Sequence, residues 1–324
     1  MPSSDMVAAP PERYWLAEVM ARVASASGVG HAAAAWTVSR WLTRPTHSRV
    51  PKLPPDLPHA CEAVECRTAD VCRLAGWVVT PPAPRATVAL FHGIRANRTQ
   101  TLDRIAFLAA AGYRCVAFDH RAHGASSGNR TSFGFHESQD VTAVMGLVQQ
   151  RWPDEPCAAI GISMGGAAIC YAGGVLEGVN ALILESVYAD VASAFTSRIG
   201  NTLPSWVAEL SAGVIGVTER RLGVRLAQLA PAAHVAALAP RPILFVTGQE
   251  DPHATPADLQ RLAARYPGPA EHAVVPGARH KDLCTVGGLG YQLRVLDFLE
   301  RRLFSTERAH LLPSESVRRH FPSA

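Results

Sequence analysis

A serine, an aspartate and a histidine each follow the end of an apolar segment in this sequence. Ser163 lies in Gly161-Ile162-Ser163-Met164-Gly165, Asp251 follows PILFVTG, and His280 follows EHAVV in the stretch GARH. A serine hydroxyl is a weak nucleophile unless a histidine takes its proton and a carboxylate orients that histidine. The three residues therefore predict acyl transfer, with Ser163 as nucleophile, His280 as base and Asp251 as orienting acid.

The pentapeptide around the serine has the form G-x-S-x-G, which is typical of a nucleophile elbow between a strand and a helix. The apolar run CAAIGI precedes Ser163, and the small-residue run MGGAAIC follows it. Gly161 and Gly165 lack the Cβ atoms that would clash where the strand and the helix close up. The motif alone also fits an ordinary turn with a serine helix cap, and the downstream aspartate and histidine favour the elbow.

Other residues compete for the roles of acid and base. Glu250 precedes the predicted acid, and Glu185 follows the apolar run VNALIL, so each is an alternative orienting carboxylate. His253 lies two residues beyond the predicted acid, and His272 lies inside the last predicted strand. These positions favour the aspartate and histidine named above, because both follow strand ends and reach the sheet edge that presents the serine.

Acyl transfer also needs hydrogen-bond donors for the negative oxygen that forms in the reaction. The amide of Met164, at the start of a helix, is one predicted donor. The second is expected from the loop after VALFHG, from the amide of Ile94 in His92-Gly93-Ile94. We interpret His92 as a group that orders this loop through side-chain hydrogen bonds, with Gly93, and as neither a metal ligand nor a base.

Strands and helices alternate along the predicted catalytic domain, residues 60–303. Two short strands turn at Thr68 to Asp70, and the later strands are separated by helices of ten to fifteen residues. This alternation predicts an α/β protein with a mostly parallel sheet covered by helices on both faces. Residues 187–235 contain helical stretches without a strand, which predicts an inserted helical lid.

Flanking segments complete the predicted organisation. Residues 1–44 form an N-terminal helical extension, residues 45–59 a proline-rich linker, and residues 304–324 a polar tail. Val23 to Ser39 has no carboxylate, Lys or Arg, but Ala, Ser and Gly contribute little to membrane insertion. We therefore expect a helix that packs on the body, on a partner or on a membrane surface. Acidic residues before this stretch do not fit a secretory signal.

Composition excludes several classes of protein. The chain has 324 residues, of which 48% are hydrophobic and 18% charged, and this fits a folded protein. The net charge is only +4 and the basic residues are scattered, so no nucleic-acid partner is predicted. Seven cysteines without a CxxC pair indicate reduced thiols in the cytoplasm, with membrane association as the alternative location. Cys66 and Cys72 flank the first turn and are the alternative disulfide pair.

No cofactor or metal is predicted. HESQD at His136 to Asp140 lacks the second histidine of a zinc-protease helix, and no G-x-x-x-x-G-K-[ST] phosphate loop occurs. GISMGG also lacks the glycine order of a dinucleotide fingerprint. His136, Glu137 and Asp140 are interpreted as the start of a helix, where acidic residues favour the positive end of the dipole.

From about residue 60 to 303 the chain resembles serine hydrolases of the α/β-hydrolase superfamily. The resemblance rests on His92-Gly93, on Asp119 with HRAHGASSG, and on GISMGG, TGQEDP and GARH. It points to the branch of serine-aminopeptidase-like, monoacylglycerol-lipase-like and dienelactone-hydrolase-like proteins. In such relatives the turn after the fourth strand is structural, which implies that His120 and His123 brace loops. One departure is Val71, because relatives commonly have glycine after the aspartate of the first turn.

The resemblance and the motifs together predict a small-molecule acyl substrate. A carboxylic ester or thioester with an apolar acyl group is the first expectation, hydrolysed through an acyl-enzyme on Ser163. The alternatives are a serine peptidase that cleaves amides and a non-catalytic hydrolase-fold protein that binds a ligand. The sequence leaves the acyl length, the leaving group and the oligomeric state open.

Overall fold

A computed structural model describes residues 28–54, 57–192 and 205–304. The described residues fall into two compact units, a smaller one of residues 28–43 and 205–225, and a larger one of residues 44–54, 57–192 and 226–304. The predicted tail after residue 304, the first 27 residues and residues 193–204 of the predicted lid lie outside the described residues.

The larger unit is built on an eight-stranded sheet. In chain order the strands of the unit are β1 Thr46–His47, β2 Ala60–Arg67, β3 Arg73–Thr80, β4 Ala86–Phe91, β5 Tyr113–Phe118, β6 His123–Gly124, β7 Cys157–Ile162, β8 Ala181–Glu185, β9 Ile243–Gly248 and β10 Ala270–Val275. The sheet has the order β10-β9-β8-β7-β4-β5-β3-β2. Strand β3 is antiparallel to both β2 and β5, and the other neighbours are parallel.

Helices follow the strands as the alternation predicts. In chain order they are α1 Gly28–Leu42, α2 Leu102–Ala110, α3 Ser138–Arg151, α4 Met164–Ala172, α5 Ser205–Leu222, α6 Pro231–His234, α7 Pro256–Arg265 and α8 Leu283–Leu303. Strands β4, β5, β7, β8 and β9 are buried along their whole length, as expected for parallel strands covered on both faces. The predicted α/β fold with a mostly parallel sheet is confirmed.

In the turn between β2 and β3, Val71 stands at the position where glycine was expected. Val71 has φ of +67° in the loop between β2 and β3, and its side chain is 66% exposed. Thr68 holds the loop, because its hydroxyl accepts from the Cys72 amide at 2.9 Å and donates to Asp70. All seven cysteines are free thiols, so Cys66 and Cys72 do not form the alternative disulfide in this structure.

The proline-rich segment packs onto the larger unit instead of only bridging to it. Strand β1 pairs in parallel with β6 in a separate two-stranded sheet. The indole Nε1 of Trp77 contacts the carbonyl oxygens of Pro51 and Lys52 at 3.2 and 3.0 Å. Because a buried indole N–H needs an acceptor, this segment contributes to the body. The larger unit therefore includes the described residues of this segment, from residue 44 onward.

In the smaller unit, α1 packs on α5. Ala34, Ala35 and Val38 of α1 are buried together with Val214 of α5, and the Thr218 hydroxyl contacts the Ser39 hydroxyl at 3.0 Å. Helix α5 lies within the segment predicted to be a lid, and the lid function stays a prediction. In the described ranges, no helix has the length and apolar character needed to span a membrane.

Candidate active site

Ser163 occupies a strained turn between β7 and α4. Its φ of +52° and ψ of −112° lie in a region of backbone conformation that residues other than glycine rarely adopt. Its amide donates to the carbonyl of Glu185 at 2.7 Å, which ties the turn to the neighbouring strand β8. The serine side chain is therefore presented at the carboxyl end of β7, as the nucleophile-elbow motif predicts.

The two motif glycines stand where no side chain fits. A Cβ atom on Gly161 would lie 2.5 Å from the amide nitrogen of Gly166, and a Cβ on Gly165 would lie 2.4 Å from the carbonyl oxygen of Phe91. Backbone atoms at these distances cannot move aside without shifting a strand or a helix. Both glycines therefore permit the close approach of α4 to the sheet.

The structure brings the predicted nucleophile, base and acid together. The Nε2 atom of His280 lies 2.9 Å from the Ser163 Oγ, and its Nδ1 lies 2.8 Å from an Asp251 carboxylate oxygen. An ionised carboxylate only accepts hydrogen bonds, so Nδ1 carries the proton of a neutral ring. Nε2 is then the acceptor for the serine hydroxyl. This tautomer is the one in which histidine can act as a general base.

Asp251 is held as a carboxylate by its surroundings. Burial alone would raise its pKa, but the hydrogen bond from His280, the attraction to that ring when it is protonated, and the amides of Ala254 and His253 lower the pKa below the usual value. Those amides donate to Oδ1 at 2.9 and 2.8 Å, while Oδ2 is the oxygen nearest His280. The acid is thus fixed in orientation as well as in charge.

The predicted oxyanion donors lie in two segments that meet at Ser163. A Cβ on Gly93 would lie 3.5 Å from the Ser163 Cβ, so the loop after β4 passes directly beside the serine. Met164 is the first residue of α4, and the amide of such a residue has no partner within its own helix. In the described part of the chain, the Ile94 amide makes no hydrogen bond either. Their role as oxyanion donors stays a prediction.

His92 braces the loop in one defined tautomer. Its Nε2 accepts from the His120 amide at 2.9 Å, so its Nδ1 carries the proton and donates to the Gly93 carbonyl at 2.7 Å. Complete burial, together with the neighbouring rings of His120 and His123, lowers the pKa of His92 well below its usual value. A buried neutral ring with both nitrogens engaged fits the predicted loop-ordering role.

The turn after β5 supports the same loop. The Nε2 atom of His123 accepts from the Arg95 amide at 3.2 Å, and its Nδ1 donates to the Arg121 carbonyl at 2.8 Å. Asp119 is fully buried and accepts from the Arg98 amide and guanidinium. These contacts agree with the loop-bracing role that the resemblance implies for this turn.

Glu185 has a structural partner away from the histidine. Its Oε2 accepts from the Arg104 guanidinium at 2.7 Å, and its Oε1 accepts from the Tyr291 hydroxyl at 2.5 Å. All three side chains are buried, and they connect α2, β8 and α8. The sequence did not predict these two contacts, because more than 80 residues separate Glu185 from each partner and no local pattern indicates them.

The side chains of the other alternative acids and bases are not part of the hydrogen-bonded line from Ser163 through His280 to Asp251. Glu250 and His272 are exposed, and the His253 ring packs edge-on against the His280 ring with centroids 5.1 Å apart. Glu137 precedes the first residue of α3, as its expected place at a helix start implies, but its buried side chain makes no capping bond and accepts from the Thr131 and Ser132 hydroxyls. Within the described residues, no cluster of three or more His, Cys, Asp or Glu side chains has the arrangement of a metal site.

Known proteins share this fold and part of this sequence. Residues 82–234 match the family described as serine aminopeptidase, S33. The Pyrococcus furiosus esterase Pf2001 superposes with a TM-score of 0.67 at 22% identity, over 80% of this chain and 98% of its own. The chain therefore has the α/β-hydrolase fold. It is also 28% identical to YqkD of Bacillus subtilis (strain 168), over 72% of this chain and 77% of YqkD.

A second solved structure extends the fold comparison. A thermostable carboxyl esterase from Bacillus coagulans superposes with a TM-score of 0.59 at 17% identity, over 75% of this chain and 99% of its own. At these identities the structural likeness describes the fold alone. The chemistry of this protein has to be argued from its own side chains.

Proposed function

We propose that this α/β-hydrolase cleaves carboxylic esters or thioesters through an acyl-enzyme on Ser163. The observation that carries the proposal is the continuous line of hydrogen bonds from the Ser163 hydroxyl through His280 to Asp251. A serine at a strained turn, a base at 2.9 Å and an orienting carboxylate together satisfy the geometry of nucleophilic acyl transfer.

The proposed reaction assigns a residue to each step. Ser163 Oγ attacks the carbonyl carbon while His280 Nε2 takes the hydroxyl proton, and the Ile94 and Met164 amides stabilise the negative oxygen. His280 then gives the proton to the leaving alcohol or thiol. Water repeats the cycle on the acyl-enzyme and releases the acid. Asp251 keeps the proton on Nδ1 and stabilises the charged ring throughout.

Amide hydrolysis is the second candidate, because the matched family is described as serine aminopeptidase, S33. Esterase names among the structural neighbours favour the ester reaction. The same side chains serve both reactions, and the substrate pocket decides between them. Turnover of aryl esters, acyl thioesters and aminoacyl amides on one enzyme preparation separates the candidates. Aminoacyl amides as the best substrates by kcat/KM would overturn the ester proposal.

Labelling with a fluorophosphonate probe tests the nucleophile. The wild type should be labelled, and Ser163→Ala should lose both labelling and aryl-ester turnover, with kcat falling by about 10⁶-fold or to background. Ser186→Ala is the matched control. Ser186 directly follows strand β8 and has a similar φ of +49°, and its buried hydroxyl has no hydrogen-bond partner among the residues that the structure describes. Labelling that persists in Ser163→Ala, or that is absent from the folded wild type, would refute the assignment.

A further inference from the structure

The loop that carries Ile94 is held at a residue that the reaction scheme does not use. The amide of Gly93 donates to the side-chain Oε1 of Gln100 at 2.8 Å. The carbonyl oxygen of Gly93 accepts from His92 Nδ1 at 2.7 Å and from the Ala96 amide at 3.3 Å. Both polar groups of Gly93 are therefore engaged, one on each side of its α-carbon.

These contacts set the direction of the next amide. In a trans peptide the carbonyl of one residue and the N–H of the next point in opposite directions. The Gly93 carbonyl is directed at His92 and Ala96, so the Ile94 N–H is directed away from them. A Cβ on Gly93 would lie 3.5 Å from both the Ser163 Cβ and the Ile162 carbonyl oxygen. The peptide between Gly93 and Ile94 therefore lies directly beside the serine.

Gln100 is itself on a fixed support. It lies in the 3-10 helix Arg98–Thr101, where the Asn97 side chain accepts from the Thr99 amide at 2.9 Å. The Arg98 amide donates to the buried carboxylate of Asp119 at 2.7 Å. The acceptor for the Gly93 amide is thus carried by a short helix that is capped and anchored to the turn after β5.

We propose that Gln100 is a positioning residue for the oxyanion hole: it holds the His92–Gly93 peptide plane, which limits rotation about the Gly93 α-carbon and keeps the Ile94 amide facing the carbonyl oxygen of an acyl substrate at Ser163. The inference rests on the proposed function. Glycine has unusual freedom in both backbone dihedrals, so without a partner for its amide the two peptide planes that meet at Gly93 can rotate and turn the Ile94 N–H away. Gln100 acts through Gly93 and does not touch the substrate.

Gln100→Met tests this role, because methionine has a similar length but no amide oxygen. The expected result is a fall in kcat for aryl esters of about 10- to 100-fold with KM within about threefold, since loss of a whole oxyanion donor costs about 10²–10³ in kcat. A contact that serves only the fold would change the unfolding midpoint without this kcat effect. A kcat within twofold of the wild type in a folded Gln100→Met enzyme would overturn the proposal.

Amide hydrogen exchange measured by NMR reads the same contact without turnover. Exchange at Gly93 should be slow in the wild type and in Gln100→Glu, which keeps an acceptor oxygen, and at least about tenfold faster in Gln100→Met. Gln149→Met is the matched control, because the Gln149 side chain also bonds the main chain, here as a donor to the Glu177 carbonyl, on a helix that does not carry a catalytic residue. It should change neither kcat nor exchange at Gly93.

The two readouts separate this inference from the proposed function. A wild type that neither turns over esters nor is labelled at Ser163 refutes the proposed function and, with it, the catalytic part of the inference. Exchange at Gly93 then still decides whether Gln100 holds the loop. An active, labelled wild type with unchanged Gly93 exchange in Gln100→Met refutes the inference alone.

Discussion

Asp251 and Glu185 are both buried acids at the carboxyl ends of strands, and one pair of substitutions distinguishes their roles. In Asp251→Asn, the amide oxygen should remain on the His253 and Ala254 amides that now hold Oδ1. The NH₂ group then replaces Oδ2 and faces His280 Nδ1 as a donor. The ring must present an unprotonated Nδ1, so its proton moves to Nε2 and the serine loses its acceptor.

Asp251→Asn should mainly lower kcat, whereas Glu185→Gln should mainly lower the free energy of unfolding. The wrong tautomer should lower kcat by about 10³–10⁴-fold in Asp251→Asn, while the free energy of unfolding changes by less than about 1 kcal/mol. Glu185→Gln removes the charge that pairs with the buried Arg104, and an unpaired buried cation costs about 3–5 kcal/mol. We expect the lower end of this range, because Asp103 lies 3.6 Å from the same guanidinium. The backbone bond from the Ser163 amide to the Glu185 carbonyl remains.

Urea unfolding and aryl-ester kinetics on both variants decide the question. Asp251→Asn should unfold at nearly the wild-type urea concentration and have almost no turnover. Glu185→Gln should unfold at a lower concentration, and its folded fraction should keep kcat within about tenfold of the wild type. The reverse pattern, with turnover retained in Asp251→Asn and lost in a folded Glu185→Gln, would make Glu185 the orienting acid.

Two further predictions concern the fold. Val71→Gly should raise the free energy of unfolding by about 0.5–1 kcal/mol in urea, because an exposed β-branched side chain at φ of +67° is strained and glycine is not; an unchanged or lower stability would contradict this reading. The charges and hydrogen bonds of three arginines of α8 outweigh burial and lower the pKa of Glu271 to about 2, below its unfolded value of 4.5. Its carboxylate therefore stabilises the fold above pH 4.5, and this contribution is lost as the pH falls through 2. Glu271→Gln should lower stability by about 1–2 kcal/mol at pH 7, discounted for the partly exposed arginines, and the difference should shrink toward pH 2; a difference that does not change with pH would refute the assignment.

The sequence predicts the parts of this structure that depend on neighbours in the chain. Buried strands with apolar runs, helices with a regular apolar face, and a serine between two glycines all have local signals. The three catalytic candidates are far apart in the chain, but each follows a strand. In a parallel sheet the carboxyl ends of the strands share one edge, so their meeting at that edge could be predicted.

Long-range contacts between single side chains could not be predicted in this way. Nothing near Gln100 indicates that its amide oxygen meets Gly93, and nothing near Arg104 indicates a buried partner on β8. Helix α8 also begins at Leu283 and continues past Gly288, where φ is +50° and the helix is interrupted. The glycines there weaken the helical pattern, but packing extends the helix.

The contacts of residues 28–54 bear on where this chain can be cut. A chain that starts at residue 60 would lack the main-chain acceptors of the Trp77 indole. It would also lack α1, whose apolar side chains cover Val214 of α5. Such a truncation would expose apolar surface on the remaining helix and confuse any study of membrane attachment with self-association. For expression and proteolysis experiments, a boundary at residue 44 keeps the larger unit whole. A protein that includes α5 should also keep α1, because the two helices bury apolar side chains against each other.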